Sequence, residues 1–419
     1  VAVPAAAVLA VGLAACGGGS ESPDDGDVST LTMWGRSDNE GFLPDLVDTF
    51  NSTHDDIRID LTLVPSEQVA QKFSAAAAGG TSPDLVSLDV ATVPQYASAG
   101  WLRDVTAELE ALDYADELSP SHLELATLDD AVYAFPFTAD VSVLYYNKGL
   151  FERAGLDPES PPATWDEILD AARAVDALGD DTSGYYFSGA CAGCMAFTFL
   201  PYVWAQGGDV LTGSGQDVQA TVSPNPELEQ ALDFFRTLWT EGVVDEQSTT
   251  DTGADQFGPF FSGTTGMFVN GSYPYGTLVD EYPDIDFGMT VVPSQDGSGS
   301  AAYTGGDSVA VTAAAQDEEA ALTALTWFSD EGQRALAEAG VLPTRLDVAQ
   351  EVYVASDERL QVLVDALAVG HTPSSVDVAA LFFDNTGPWS SLVQAAIFDG
   401  EGASAMPAAQ DEMTDILGG

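Results

Sequence analysis

Apolar and polar positions along the chain switch between two periods. Residues 28–34 form an apolar-rich run that predicts a first strand. Over 41–51 the apolar positions Phe42, Leu43, Leu46, Val47 and Phe50 fall close to helical spacing. Ile57, Ile59, Leu61 and Leu63 then alternate with polar neighbours, the pattern of a half-buried strand. Residues 67–78 read as a helix that stops at Gly79-Gly80, and Pro83 precedes a short apolar strand at 84–88. Strand, helix, strand, helix, strand is the unit of a parallel sheet wrapped by helices, because parallel neighbours need a long crossover between them.

A second set follows. Residues 134–147 are strand-rich, with Pro136 and Thr138 in the middle. Thr164 can cap a helix over 164–178: Glu167 stands three residues later, and Ile168, Leu169, Ala172 and Val175 form the inward stripe. Further helices are predicted over 226–241, with Leu228, Leu232, Phe235 and Leu238 inward, and over 318–339 with a break near Gly332. The tail, 376–417, reads as helical with Gly and Pro interruptions. The class is α/β. No short repeat is visible, and no Gly/Ser linker beyond residue 27 divides the chain, so two lobes would be interleaved rather than strung in series.

Composition changes the picture in one respect. The 419 residues carry 11 Lys+Arg against 67 Asp+Glu, a formal net charge of −56, yet 45% are hydrophobic. That apolar share supports a folded core and argues against a disordered acidic chain. The charge excludes nucleic acid as a partner, since phosphate binding needs a basic footprint, and an anionic membrane surface would repel the protein. Such a balance suits a setting rich in salt, where screening relieves self-repulsion.

The first 15 residues are small and apolar and lead to Cys16, three glycines and a polar acidic stretch ending at residue 27. This reads as the apolar segment of a bacterial secretion signal, too short to span a bilayer. Leu13-Ala14-Ala15-Cys16 resembles the lipobox of bacterial lipoproteins, which implies a lipid on Cys16 as the mature N-terminus. No Met and no basic segment precede it, so the natural start is expected upstream or at an alternative codon. The other two cysteines form Cys191-Ala-Gly-Cys194. A redox pair would open a helix, and this pair is expected in a Gly-rich loop; zinc would need further ligands, and His54, His122 and His371 are scattered singly. Outside the cytoplasm the expectation is a local disulfide.

Several segments together resemble one family. Leu31-Thr32-Met33-Trp34 with Phe42-Leu43-Pro44 to Phe50-Asn51 is similar to the opening of extracellular solute-binding proteins of the maltose-binding-like cluster. Ser82-Pro83-Asp84-Leu85-Val86 is similar to that family's third strand, and Ala134-Phe135-Pro136 through Leu144-Tyr145-Tyr146-Asn147-Lys148 to its crossover strand. Pro162-Ala163-Thr164-Trp165-Asp166-Glu167 resembles a characteristic helix start. Gly263 to Met267 with Asn270-Gly271-Ser272-Tyr273, then Gly305-Gly306-Asp307-Ser308 and Leu342-Pro343-Thr344-Arg345, complete the series, with Tyr273 where Trp is commonest. Each motif is weak alone; their order and spacing carry the likeness, which spans nearly all of 28–419.

The resemblance implies the substrate-binding subunit of an ABC importer, mostly for sugars. It implies a two-lobed periplasmic-binding-protein-like α/β fold of the second type with ligand in the cleft. One lobe is expected at 28–137 with 291–342 and the other at 138–290 with 343–419, after a signal and tether at 1–27. Hinges are expected near 136–138, 292–293 and 342–344. The implied partners are a carbohydrate, expected to be an oligosaccharide, and the permease subunits; contact with the membrane is through the lipid alone, and the protein is expected to be a monomer on the outer face of the cell membrane.

Sugar recognition needs flat apolar faces for C–H patches and carboxylates or amides for hydroxyls. Trp34 at the end of the first strand can reach a cleft or pack at its rim. Arg36, Ser37 and Asp38 follow in the strand-to-helix loop, where they can contact ligand or cap the helix. Asp89 follows the third strand and Asp140 the first hinge. Tyr185 and Tyr186 are expected in a loop where the resemblance places ligand-facing aromatics, and Trp204 is as readily packed as exposed. Tyr273 has the strongest case, since the family's aromatic there stacks on ligand; Asn270 and Ser272 beside it can hydrogen-bond or close a turn. Gly305-Gly306-Asp307 reads as a tight turn whose amides approach a ligand, feeding a strand at 309–311. Arg345 at the third hinge can bind ligand or an acid, and Trp389 can stack from the second lobe. Trp101, Trp165, Trp239 and Trp327 are expected to pack.

No nucleophile elbow, zinc-protease motif or P-loop is present, and with 67 acids any carboxylate pair has little specificity. No cofactor or metal is expected, and the acidic loop at 24–27 misses the spacing of a calcium-binding EF-hand loop, without Gly at the sixth position or the terminal Glu. Two alternatives stand beside the sugar-capture reading: the same fold taking a non-sugar solute, and a secreted glycoside-active enzyme. Only Arg36 and Arg345 offer cations near the expected cleft, which favours a neutral ligand. Cys16→Ser is expected to move the protein out of the membrane fraction on cell fractionation; a variant that stays anchored would overturn the lipobox reading.

Overall fold

A computed structural model describes residues 28–179, 181–213 and 217–418. The expected lipid site Cys16 and its tether lie outside these residues. The first half runs β1 (Ser29–Arg36), α1 (Leu43–Thr53), β2 (Ile57–Val64), α2 (Ser66–Ala78), β3 (Leu85–Asp89), β4 (Phe135–Val141), β5 (Val143–Asn147), α3 (Trp165–Asp176), β6 (Ser183–Tyr186) and α4 (Ala192–Trp204). Then come α5 (Pro226–Thr240), β7 (Thr265–Asn270), β8 (Phe287–Thr290), β9 (Val292–Pro293), β10 (Ser300–Val311), α6 (Glu318–Ser329), α7 (Glu331–Glu338) and α8 (Gly402–Ile416), with shorter elements between.

Two main sheets result. In the first the order is β9-β10-β3-β1-β2, and β4 pairs with β10. β1 is parallel to β2 and β3, while β10 runs antiparallel to β3 and β4. In the second the order is β8-β5-β7-β6, with β7 and β6 parallel and β5 antiparallel to its neighbours. The strands of the second sheet are buried at nearly every position because both faces are covered. Alternation of side chains sends Tyr146, Tyr185 and Met267 to one face, against α3, α4 and α5, and Tyr145, Tyr186 and Phe268 to the other. The first sheet packs Met33, Leu85, Phe137 and Val309 against Phe50 of α1 and Leu325 and Phe328 of α6.

The local starts and stops follow their chemistry. The Thr164 hydroxyl accepts from the Glu167 amide at 3.2 Å, and the Glu167 carboxylate accepts from the Ala163 amide at 2.7 Å. Trp165 beneath this cap donates its indole N–H to the Pro293 carbonyl at 2.9 Å. Trp101 stacks on Tyr96, Trp239 meets Phe398 edge-on, and Trp327 packs on Phe50.

Three expectations change and one sharpens. The strand-rich run at 134–147 is two strands, parted at Ser142, whose hydroxyl accepts from the Tyr303 amide at 2.8 Å. The helix at 318–339 does break near Gly332, and the structure moves the exact point to Asp330. The Cys191–Cys194 pair is not in a loop: it forms a disulfide that opens α4, with Cys191 as the N-cap residue. Glycines 189 and 193 around it gave loop-like composition to what is a helix start.

The fourth concerns residues 305–307. They are not a turn but the middle of the twelve-residue β10. Asp307 pairs with Asp89 on one side and Thr138 on the other, and the register with β4 slips immediately after it. Gly306 adopts φ +115°, and a Cβ there would sit 2.0 Å from the Thr138 carbonyl oxygen. Glycine is therefore required by the bulge rather than by a turn. Gly306→Ala is expected to lower unfolding stability by about 2 kcal/mol or more. Urea denaturation measures it, and a loss under about 0.5 kcal/mol, the range of an unremarkable surface change, would contradict the close approach.

Candidate functional site

The middle of β10 gathers the chain's scarce cation and several acids. Arg36 ends β1, and its guanidinium donates to Asp89 at 2.9 Å, to Asp307 at 2.9 Å and to Asp38 at 3.0 Å. The pairing of β10 with β3 sets Asp307 opposite Asp89, so one arginine between strands can serve both. Asp307 is 2% exposed, and its second oxygen accepts from Asn39 at 2.6 Å and Ser87 at 2.7 Å. The carboxylates, Asp307 foremost, raise the Arg36 guanidinium above its ordinary range, so it stays charged. Enclosure pushes the Asp89 carboxyl up, and Arg36 pulls it back down.

On the far side of the same bulge stands Asp140. One of its oxygens accepts from the Ser272 amide at 2.6 Å and the Ser272 hydroxyl at 2.7 Å. Burial pushes Asp140 up, against these hydrogen bonds. Gly271 leaves room for it, since a Cβ there would lie 2.4 Å from the carboxylate. Asn270, at the end of β7, accepts from the Gly271 amide, and the ring of Tyr273, 71% exposed, lies 6.0 Å from Phe257.

An aromatic wall adjoins these groups. Phe197 and Trp204 on α4 meet Tyr303 of β10 at centroid distances of 4.9 and 5.8 Å, and Trp204 also meets His371 at 5.6 Å. Gly305 faces the wall: a Cβ there would lie 3.4 Å from Phe197 and 3.8 Å from the Asp140 carbonyl oxygen. Burial raises the Tyr303 hydroxyl, and the Asp89 charge adds to that. Acceptors beside flat apolar faces are what a polyhydroxylated ligand needs.

Of the residues singled out in the sequence, Arg36, Asp38, Asp89, Asp140, Ser272, Gly305, Gly306, Asp307 and Trp204 fall within this group. Asn270 and Tyr273 adjoin it through the loop after β7. Trp34 is half-buried against the first core, and the Ser37 hydroxyl accepts from the Ser66 amide at 3.1 Å, at the start of α2. Four others lie elsewhere. Tyr185 and Tyr186 are in β6, not in a loop; Tyr185 is buried with its hydroxyl 2.9 Å from that of Tyr202, and the Tyr186 hydroxyl donates to Asp251 at 2.7 Å. Trp389 is fully buried between Phe199 and Phe382. Arg345 binds Asp330 and Asp347, each at 2.6 Å, over the Tyr114 ring. Apolar runs in a sequence do not tell a cleft wall from a core, so Tyr185, Tyr186 and Trp389 read there like cleft aromatics.

Asn39, Phe197, Tyr303 and His371 were not singled out. Phe197 and Tyr303 had no scarcity to mark them, and their place depends on α4 crossing β10. An open surface groove lined by His54, Glu318, Thr326 and Trp327 shares no residue with the group. Among the described residues no set of three or more His, Cys, Asp or Glu is placed to hold a metal ion, and no helix is long and apolar enough to cross a membrane.

Below the group, His122 is buried and approaches the Thr138 carbonyl through Nε2 at 3.1 Å and the Ser119 hydroxyl through Nδ1 at 2.9 Å. A carbonyl only accepts, so Nε2 carries the proton and Nδ1 accepts from Ser119. Burial lowers the imidazole to about 4 from its ordinary 6.5. The unfolded chain thus takes up a proton near pH 6.5 that the folded chain refuses until about pH 4. Stability held above pH 6.5 is therefore lost as pH falls through that window, by about 3 kcal/mol for this group. His122→Gln is expected to flatten that part of the stability curve in denaturation at stepped pH; parallel curves would refute it.

Comparison with known proteins gives the family and the fold. The profile of the family described as bacterial extracellular solute-binding protein matches residues 36–335. The diacetylchitobiose binding protein DasA of Streptomyces coelicolor is 24% identical over 356 residues, 80% of each chain. The cyclic alpha-maltosyl-1,6-maltose binding protein of Arthrobacter globiformis superimposes with a TM-score of 0.77 at 27% identity, covering 93% of this chain and 99% of that one. The sugar-binding protein MalE of Xanthomonas citri gives a TM-score of 0.81 at 18% identity, covering 93% and 98%, a likeness of fold.

Proposed function

We propose, from the premise that this chain belongs to the family of bacterial extracellular solute-binding proteins, that it captures a carbohydrate between two lobes and delivers it to the permease of an ABC importer. The observation that carries the reading is the juxtaposition at β10: the carboxylates of Asp89 and Asp140 lie beside the aromatic wall of Phe197, Trp204 and Tyr303. Relatives that bind sugars support it, DasA by its diacetylchitobiose and the Arthrobacter protein by its cyclic maltosyl-maltose. The ligand is an uncharged oligosaccharide, because Arg36 is already shared among three carboxylates and Arg345 between two. A phosphorylated ligand would meet uncompensated negative charge.

The lobes of this reading are 28–137 with 291–342, and 138–290 with 343–419. The protein acts as a monomer on the outer face of the membrane, held by a lipid on Cys16. It binds without altering the ligand, in line with a family of binding proteins.

A thermal-shift panel tests the reading. Neutral oligosaccharides are expected to raise the melting temperature, with a change in tryptophan fluorescence. Shifts from peptides or ions alone would overturn the sugar assignment, and hydrolysis of an oligosaccharide by the purified protein would favour the enzyme instead. Tyr273→Ala is expected to weaken binding of a responding sugar by about 1–3 kcal/mol by calorimetry. Unchanged affinity would make Tyr273 a surface residue.

A further inference from the structure

The chain passes between its two cores at adjacent points. Phe137 belongs to the core of the first sheet and Ala139 to that of the second. Leu336 and Ala337 divide in the same way, and Leu342 follows in the second core. These crossings lie side by side: Thr138 and Pro343 form an antiparallel bridge, and the Ala139 amide donates to the Leu342 carbonyl at 3.0 Å.

One side chain holds both. Gln333 of α7 is 0% exposed. Its Nε2 donates to the Phe137 carbonyl at 2.8 Å and to the Phe328 carbonyl at 3.1 Å. Its Oε1 accepts from the Thr344 amide at 2.7 Å, the Thr344 hydroxyl at 3.0 Å and the Arg345 amide at 3.2 Å. The Phe137 carbonyl is available because the register of β4 against β10 passes from Thr138 to Pro136 and skips Phe137. The bulge that places Asp307 in the site therefore creates the carbonyl that Gln333 takes. On the other side the Ser119 amide donates to the Thr344 carbonyl at 2.8 Å.

We propose that Gln333 is a positioning residue for lobe closure: its carboxamide fixes the spacing of the crossings at 137–139 and 342–345 and so sets the balance between open and closed forms. It touches none of the residues assigned to ligand, so its effect on affinity passes through that balance alone. A ligand that binds one form better works against whatever preference the crossings impose. The affinity consequence rests on the binding reading above; the effect on lobe spacing does not.

Spin labels on Asp48→Cys in α1 and Glu229→Cys in α5 report the distance between lobes in the full chain. Gln333→Met keeps the bulk and removes all five hydrogen bonds. It is expected to broaden the ligand-free distance distribution and shift it outward, whereas Gln410→Ala leaves the distribution unchanged. Gln410 makes a matched control, since it bonds the amides of Val222 and Ser223 and the Ala220 carbonyl within one core. A Gln333→Met distribution that superimposes on the wild type's overturns the proposal.

Maltotriose and diacetylchitobiose then serve as ligand probes. For either one that binds, Gln333→Met is expected to change affinity by about five- to fiftyfold, and Gln410→Ala by less than about twofold. Equal affinity for wild type and Gln333→Met also overturns the proposal; failure of every sugar to bind the wild type counts against the carbohydrate reading and leaves the distance result to decide this one. If Gln333→Met does not fold, hydrogen exchange on the wild type decides: the Thr344 and Arg345 amides are expected among the slowest, and exchange at loop rates refutes the clamp.

Discussion

The pairing of Arg36 with Asp307 is the interaction on which the rest of the site depends. A carboxylate in the middle of a doubly paired strand is costly to enclose unless its charge and its lone pairs are met. Arg36 meets the charge, and Asn39 and Ser87 meet the second oxygen. Breaking such a pair typically costs about 3–5 kcal/mol, because the surviving charge is left without a partner. The same arginine reaches Asp89 and Asp38, so one cation organises the loops after β1 and β3. Opposite-sign pairing thus fixes the floor on which Asp89 and the aromatic wall stand.

The geometry of β10 links this floor to the crossings. Gly306 bends the strand against the Thr138 carbonyl, the register slips, and a carbonyl leaves the ladder. An unpaired buried carbonyl carries a penalty, and Gln333 removes it while tying a second segment to the first. His122 takes the next carbonyl along, that of Thr138. Polar side chains in the core of the crossing are thus explained by backbone groups that the bulge releases, and site and crossing share one cause.

Charge elsewhere acts in the opposite way. With 67 acids and 11 cations, most carboxylates lack a counter-charge and must face water. Some cations pair with acids two or three residues away, as Arg359 does with Asp357, and others reach acids distant in sequence, as Arg173 does with Glu241 and Arg103 with Glu318. Pairs this exposed add little stability, so the surface charge governs solubility and repulsion rather than the fold.

Much of the fold was legible in the sequence. The periods at 41–51, 57–64 and 226–241, the cap at Thr164 and the order of short motifs all rest on local chemistry: side-chain spacing, caps and glycine stops act within a few residues. They determined the α/β class, most elements and the family. Scarcity also pointed to Arg36, since a rare cation among acids has few roles. What residues share a wall was decided by the tertiary structure. Tyr185, Trp389 and Trp204 carry the same apolar signature and are buried in the same core, yet only Trp204, at the end of α4, also meets Tyr303 and His371 beside the acids. Gly305-Gly306-Asp307 has turn composition, and only pairing on both sides makes it a bulged strand. Gln333 has no local signature at all: its carboxamide gains a role from Phe137, Thr344 and Arg345, and contacts across long sequence separations leave no period to read.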